Sequence, residues 1–397
     1  MTDFLKESEI SAAIVERVKE QFRHIWGSPP SHVAVTPGRV NVIGEHVDYN
    51  GGWVLPAAIE RYMVMAVRPN GTNTVRLASA NFPERSEFAI DSLSPDNGRD
   101  WGRYIRGVMA GLQEAGIPLQ GFDALVESTI PVGGGLSSSA ALEAAAGLAL
   151  LAMAGKTMDR FDLAKLCQKA EHDYAGVPCG IMDQAAVLNC REGHLLFLDC
   201  ENETFEQAPF DAPEWRLMII NSGVAHELAD GEYAKRRAAC HQAAEKLGVA
   251  SLRHISMDSL DEVLENLQID RDMVRAVRHN VTENERTHKT VKALAAGNIR
   301  LAGQLLNASH ASLRDDYRVS CEELDFIAAT AQKLDGVAGC RMTGGGFGGS
   351  CIALVHKDAA AEVADRLATA YQEEFGQAPG IFLTAAAEGG RVEQLDN

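Results

Sequence analysis

Between Pro131 and Glu143 the chain reads Pro-Val-Gly-Gly-Gly-Leu-Ser-Ser-Ser-Ala-Ala-Leu-Glu, glycines and serines placed directly before an Ala/Leu-rich segment with helical composition. Glycine lets a backbone pass close to a bulky anion with no Cβ in the way. Free N–H groups and the positive dipole end at a helix start attract negative charge, and serine hydroxyls there cap free N–H groups or reach a phosphate or metal ion. In isolation the stretch also fits a Gly/Ser turn capping an ordinary core helix. A second cluster lies in Gly-Arg-Val-Asn-Val-Ile-Gly-Glu-His-Val-Asp-Tyr-Asn-Gly-Gly, where Arg39, Glu45, His46 and Asp48 sit among strand-like apolar residues. Carboxylates beside an imidazole make a good acceptor set for sugar hydroxyls; a solvated loop with one structural salt bridge is the alternative. Asp183 follows the Pro/Gly bend Gly176-Val177-Pro178-Cys179-Gly180 and precedes an apolar run. A carboxylate in that place is either a helix N-cap or a functional acid. Gly344, Gly346 and Gly349 match G-x-G-x-x-G, but they lead into the strand-like Cys351–Val355 rather than into a helix, which excludes a dinucleotide site.

The elements that must position these residues alternate between the two periods. Apolar spacing predicts helices over Glu9–Trp26, Asp100–Ala115, Phe161–Tyr174, Glu232–Leu247, Asp272–Ala296, most of Leu301–Ala329, and Ala359–Phe375. Strands are predicted over His32–Val42, Leu55–Val67, Thr74–Ala80, Phe122–Ile130, His194–Asp199, Trp215–Ser222, Cys351–Val355 and Ile381–Thr384. At 397 residues two domains are expected, with a boundary near Pro209–Pro213: residues 1–208 carry the acidic cluster and the Gly/Ser loop, and 209–397 carry the last glycine-rich motif.

Composition narrows the function classes. A net charge of −18 without a long basic stretch argues against a nucleic-acid partner. Lys235-Arg236-Arg237 sits behind Glu232 and reads as a solvated helix face. The longest nearly apolar run, Ala144–Ala154, is short of a membrane span, and the polar start Met1–Glu9 lacks a secretory hydrophobic region. Eight cysteines without a C-x-x-C pair read as reduced thiols in a cytoplasmic protein.

Together, Gly38–Gly52, Pro131–Glu143 and Arg341–Ser350 resemble the three signature motifs of the GHMP kinases, a family of small-molecule kinases. The Gly-Glu-His-Val-Asp-Tyr-Asn form of the first motif, Ala170-Glu171-His172, Cys179–Gln184 and Ser312–Tyr317 resemble the branch that phosphorylates galactose. The resemblance implies an α/β (α+β) fold with mixed sheets flanked by helices and the active site in the cleft between two domains. It further implies ATP- and Mg²⁺-dependent transfer to the anomeric hydroxyl of D-galactose by a cytoplasmic monomer.

Carried over by residue, the resemblance makes Asp183 the catalytic acid and Arg39 the arginine beside it. Glu45, His46, Val47, Asp48, Gly180, Asp183 and Tyr233 become the sugar-binding set. Gly133, Gly134, Gly135, Leu136, Ser137, Ser138 and Ser139 would wrap the nucleotide phosphates, Ser79 and Trp101 would line the adenine pocket, and Ser139 with Glu171 would hold Mg²⁺. Val47 stands where the family commonly has Thr. Alternatives on the same fold are N-acetylgalactosamine or arabinose as the sugar, or a non-catalytic sensor of sugar and ATP. The complete Ser137-Ser138-Ser139-Ala140-Ala141 run argues against the sensor.

Overall fold

The structure is a computed structural model and describes residues 7–96, 100–225, 229–267 and 270–395. Its strands form three sheets. The largest runs in the order Arg391–Gln394, His32–Asn41, Pro56–Pro69, Phe122–Ser128, Thr74–Ser79, Ser86–Ala89. Neighbours are antiparallel except Phe122–Ser128 and Thr74–Ser79, which run parallel. A second sheet, antiparallel throughout, orders Val337–Thr343, Gly348–His356, Trp215–Ala225 and Gly380–Thr384. Trp53–Val54, His194–Asp199 and Thr204–Pro209 make a small third sheet.

Side chains alternate across a strand, and both main sheets are covered on both faces. Val33 and Val35 pack with Ile14, Val18 and Phe22 of the helix Glu7–Trp26. Ala34 and Val40 join a cluster on the opposite face with Ala140 and Ala144 of the helix Ser138–Met153. Every residue of His32–Asn41 is therefore buried, the polar His32, Thr36, Arg39 and Asn41 included. In the second sheet Leu217, Ile219, Ile352 and Leu354 face that same cluster. Met218, Ile220, Cys351 and Ala353 face another, filled by the helices Glu322–Ala331 and Ala360–Phe375. One sheet thus has a side in each core, and the two halves of the chain meet through apolar side chains.

Five strands lie outside the sequence expectation: Trp53–Val54, Ser86–Ala89, Thr204–Pro209, Val337–Thr343 and Arg391–Gln394. Thr204–Pro209 has no buried residue, so it lacks the apolar alternation that marks a strand. The short Arg391–Gln394 returns to pair with His32–Val35 and places the chain's last strand in the first sheet. Two expected helices also change form part-way. Arg160–Ala170 continues as a π-helical turn, Glu171–Ala175, and Ile299–Ser312 as another, Leu313–Tyr317. Such turns re-aim side chains, here Glu171 and Tyr317.

The strand His32–Asn41 carries a register shift between Pro37 and Gly38. A Cβ on Gly38 would stand 2.9 Å from the Leu136 carbonyl oxygen, so glycine is what lets the Gly/Ser loop ride against the strand. Arg39 N–H then donates to that carbonyl at 3.1 Å. The bulge and the loop together set where the Arg39 side chain leaves the sheet.

Candidate active site

Arg39 grips Asp183 with both arms of its guanidinium: Nε donates to Oδ1 at 2.8 Å and Nη2 to Oδ2 at 2.7 Å. Its Nη1 donates to the Gly135 carbonyl at 2.6 Å, and the Ser137 hydroxyl donates to Asp183 Oδ2. The fork geometry fixes the carboxylate in plane and position. Asp183 lies in the first turn of Met182–Asn189, but the N-cap there is Ile181 and no side chain caps. The N-cap reading of Asp183 is therefore corrected: its oxygens are taken by Arg39 and Ser137. Ser137, at the N-cap of Ser138–Met153 with φ 60°, makes no capping bond either. Its hydroxyl goes to Asp183 instead.

Two cavities meet at this pair. One of about 240 Å³ is lined by Gly133, Gly135, Leu136, Ser137, Ser138 and Ser139, with Arg39, Asp183 and Gly345. The other, of about 520 Å³, is lined by Glu45, His46, Asp48, Glu171 and Gly180, again with Arg39, Asp183 and Gly345. A larger cavity of about 750 Å³, between the N-terminal helix and Arg391–Gln394, contains none of these residues.

In the second cavity each acidic group has its own support. Glu45 is buried and accepts from Arg341 Nη2 and from Gly344 N–H, both at 3.0 Å. Burial raises its pKa against the pull of Arg341 and Arg39. Asp48 is pushed up to about 7, by burial first and then by the nearby Asp183 and Glu45 carboxylates. A Cβ on Gly180 would fall 1.8 Å from Asp48 Oδ2, so Asp48 occupies the space that the missing side chain leaves. His46 has both ring nitrogens engaged, Nδ1 with Tyr49 at 2.9 Å and Nε2 with the Gly345 carbonyl at 3.1 Å.

Beneath the Gly/Ser loop, the Ser139 side chain lies near the Glu171 carboxylate and works to lower its pKa. Glu171 also accepts from Gln184 Nε2 at 2.6 Å, and Gln184 reaches Glu143 at 3.2 Å. Burial raises the pKa of Glu171, and burial with the Glu171 charge raises Glu143 well above the carboxylate range. Glu143 Oε1 and Gln184 Oε1 are buried without a hydrogen-bond partner. This oxygen-rich corner is short of positive charge.

The sequence is similar to known proteins along almost its whole length. The pattern described as GHMP kinases N terminal domain matches residues 103–191, GHMP kinases C terminal matches 290–373, and the galactokinase galactose-binding signature matches 20–69. A galactokinase of Streptomyces coelicolor is 43% identical over 96% of this chain and 98% of its own. That of Homo sapiens is 39% identical, covering 98% of each. The chain belongs to the galactokinase family. It is an ATP-dependent sugar kinase. The structure of a Lactococcus lactis galactokinase complexed with galactose superposes with TM-score 0.91 at 36% identity, over 95% of this chain and 99% of that one. A mevalonate kinase structure, 18% identical with TM-score 0.65, shares the fold.

Within this galactokinase-family site the expected residues do not all converge. Arg39, Glu45, His46, Asp48, Gly180, Asp183 and Glu171 line the cavity of about 520 Å³, and Gly133, Gly135, Leu136, Ser137, Ser138 and Ser139 the one of about 240 Å³. Val47 departs from the expectation: it is wholly buried and packs against Gly52, giving neither cavity its side chain. Gly134 turns away, pressed on Asn221, with its carbonyl accepting from Ser350 Oγ at 2.7 Å. Ser79 and Trp101 line neither cavity; the Trp101 indole donates to the Glu84 carbonyl at 3.0 Å. The Tyr233 side chain lies outside the described residues.

Sequence reasoning assigned no role to the residues that hold the Gly44–His46 backbone. Glu283 accepts from Gly44 N–H at 3.1 Å and Glu45 N–H at 3.3 Å, and His279 Nε2 donates to the Glu45 carbonyl at 3.0 Å. Arg341, wholly buried, donates to the Asn41 and Val42 carbonyls as well as to Glu45. The available signal was a polar row, His279, Asn280, Glu283, Asn284 and Thr287, at helical spacing inside Arg271–Ala295.

Proposed function

We propose that the chain transfers the γ-phosphoryl group of ATP to the anomeric hydroxyl of D-galactose, giving galactose 1-phosphate and ADP. The observation that carries the reading is the Arg39–Asp183 pair in the common wall of a Gly/Ser-loop cavity and an acid-lined cavity. Phosphate in the first then meets a hydroxyl in the second. Phosphoryl transfer has a loose transition state, so positioning and neutralisation of charge dominate. Neither a G-x-x-x-x-G-K-[ST] loop nor an H-R-D loop occurs in the chain. Main-chain N–H groups of Gly133–Ser139 and the start of Ser138–Met153 would cradle the phosphates. Asp183 orients the anomeric hydroxyl and takes its proton as the new O–P bond forms and the β–γ bridge breaks toward ADP. Arg39 holds Asp183 in place and lends positive charge beside the transferred group.

Glu45, His46, Asp48 and Gly180, with Tyr233, form the proposed sugar-binding set, and Ser79 and Trp101 the proposed adenine contacts. Mg²⁺ fits the corner of Ser139 and Glu171, whose hard oxygen donors and unpartnered neighbours suit it. Bound there, the ion would neutralise phosphate charge. The proposed division of the chain falls between residues 208 and 209, with Arg391–Gln394 returning to the first sheet. Among the described residues no helix is long and apolar enough to cross a membrane. We propose a cytoplasmic enzyme that acts as a monomer. A panel of aldoses with ATP and Mg²⁺, read by ADP release, tests the assignment. Galactose is expected to turn over fastest; preference for N-acetylgalactosamine or arabinose would refute it.

A further inference from the structure

Both ring nitrogens of His46 are committed, and the commitments orient the hydroxyls that lead away from the ring. A carbonyl can only accept, so Nε2 carries the proton donated to Gly345 at 3.1 Å. Burial, with His279 and Arg341 close by, brings the ring's pKa down to about 3, so the imidazole holds a single proton. Nδ1 is therefore an acceptor, and Tyr49 must donate to it at 2.9 Å. The Tyr49 oxygen then receives the Tyr317 hydroxyl at 2.8 Å, and the Tyr317 oxygen receives the Cys240 thiol at 3.2 Å. Asn280 Nδ2 in turn points at the Cys240 sulfur at 3.5 Å. The other tautomer would set a bare Nε2 lone pair against the Gly345 carbonyl.

Gly345 lines both cavities, and its neighbours Gly344 and Gly346 have φ of 87° and 80°. Glycine backbone of this kind turns at little steric cost. Gly344 N–H on Glu45 and Phe347 N–H on the Val319 carbonyl anchor it on either side, and the His46 donor holds the Gly345 carbonyl between them on the His46 side. A carbonyl rotated toward the Gly/Ser loop would set a partial negative charge against an anion there. Tyr317 is itself braced, its ring stacked on His279 at 4.5 Å between centroids.

We propose that Tyr49 and Tyr317, with Cys240 at the head of the chain, are positioning residues: they fix the tautomer of His46 and through it the Gly345 peptide at the junction of the two substrate cavities. The inference rests on the reading of those cavities as phosphate and sugar sites.

The test uses the full chain labelled with ¹⁵N-histidine, comparing the parent with Tyr49→Phe and Tyr317→Phe. Ring nitrogen shifts of His46, without ligand, are expected to show the Nε2–H form alone in the parent and a mixture of tautomers in Tyr49→Phe. Loss of one oriented hydrogen bond should lower kcat/KM for galactose by about tenfold. Tyr317→Phe keeps the Tyr49 hydroxyl but removes its donor, so the same signals should move less; this variant carries the test if Tyr49→Phe does not fold. A lowered melting temperature with unmoved His46 signals would make the tyrosines packing residues only and overturn the proposal. Mixed tautomers with unchanged galactose kinetics would overturn it equally. Failure of the parent to bind galactose by calorimetry would instead refute the functional reading, while the tautomer result would stand.

Discussion

Asp183 and Asp48 share one cavity wall, yet their surroundings give them different chemistry. Asp183 has the Arg39 fork on both oxygens, whereas Asp48 faces two other carboxylates and is lifted from 3.8 to about 7. The sign of the consequence follows from linkage. Between about pH 4 and 7 the unfolded chain has released the Asp48 proton while the folded chain still holds it, so this group disfavours folding increasingly as pH rises through that window. Asp48→Asn removes the effect. Melting temperatures of the ligand-free proteins should show the variant gaining on the parent from pH 5 to pH 7, and a pH-independent difference would contradict the assigned shift. Gly180 is set by the same residue, since its absent Cβ leaves the room that Asp48 Oδ2 fills. Gly180→Ala should therefore raise KM for galactose sharply and leave KM for ATP near the parent value; the reverse pattern would remove Asp48 and Gly180 from the sugar pocket.

The long helix Arg271–Ala295 supports the site from behind. Glu283 is fully buried; burial alone would raise its pKa, but Arg286, then His279 and Arg341, overcome this and bring it down to about 2. Glu283→Ala would leave Arg286 and the Gly44 and Glu45 N–H groups without their acceptor, for a loss of about 3–5 kcal/mol in denaturant unfolding. A loss under about 1 kcal/mol would show that the sugar segment does not depend on this helix. The element also shows why part of the site escaped the sequence. Arg39, Glu45, Asp48, Ser139 and Asp183 stand in compact segments whose glycines and charges interrupt apolar periodicity, so they were legible one segment at a time. His279 and Glu283 sit inside a valine stripe, where a polar residue reads as a solvated face. Only the packing of Gly44–His46 onto the helix reveals that the face is buried. The cap expectations failed for a related reason. Propensity places Ser137 and Asp183 at helix starts correctly, but a tertiary partner took their side chains first.

At the scale of the molecule, the second sheet has one face in each core, and Arg341 reaches from that sheet to Glu45 in the first half. The two cavities are held together by this shared packing. A formal charge of −18 repels copies of the chain, and its exposed large apolar side chains, such as Phe82, Val132 and Met257, come from separate segments. Sedimentation velocity should give a single species near 42.8 kDa; a dimer at micromolar concentration would contradict the monomer. The central claim is that Asp183, clamped by Arg39, stands where sugar hydroxyl and nucleotide phosphate meet. Its most direct test is galactose-dependent ADP release by Asp183→Asn beside the parent, with ATP affinity measured on the same samples. The expected result is a turnover lower by about 10²–10⁴ with ATP affinity nearly unchanged; turnover near that of the parent would contradict the account.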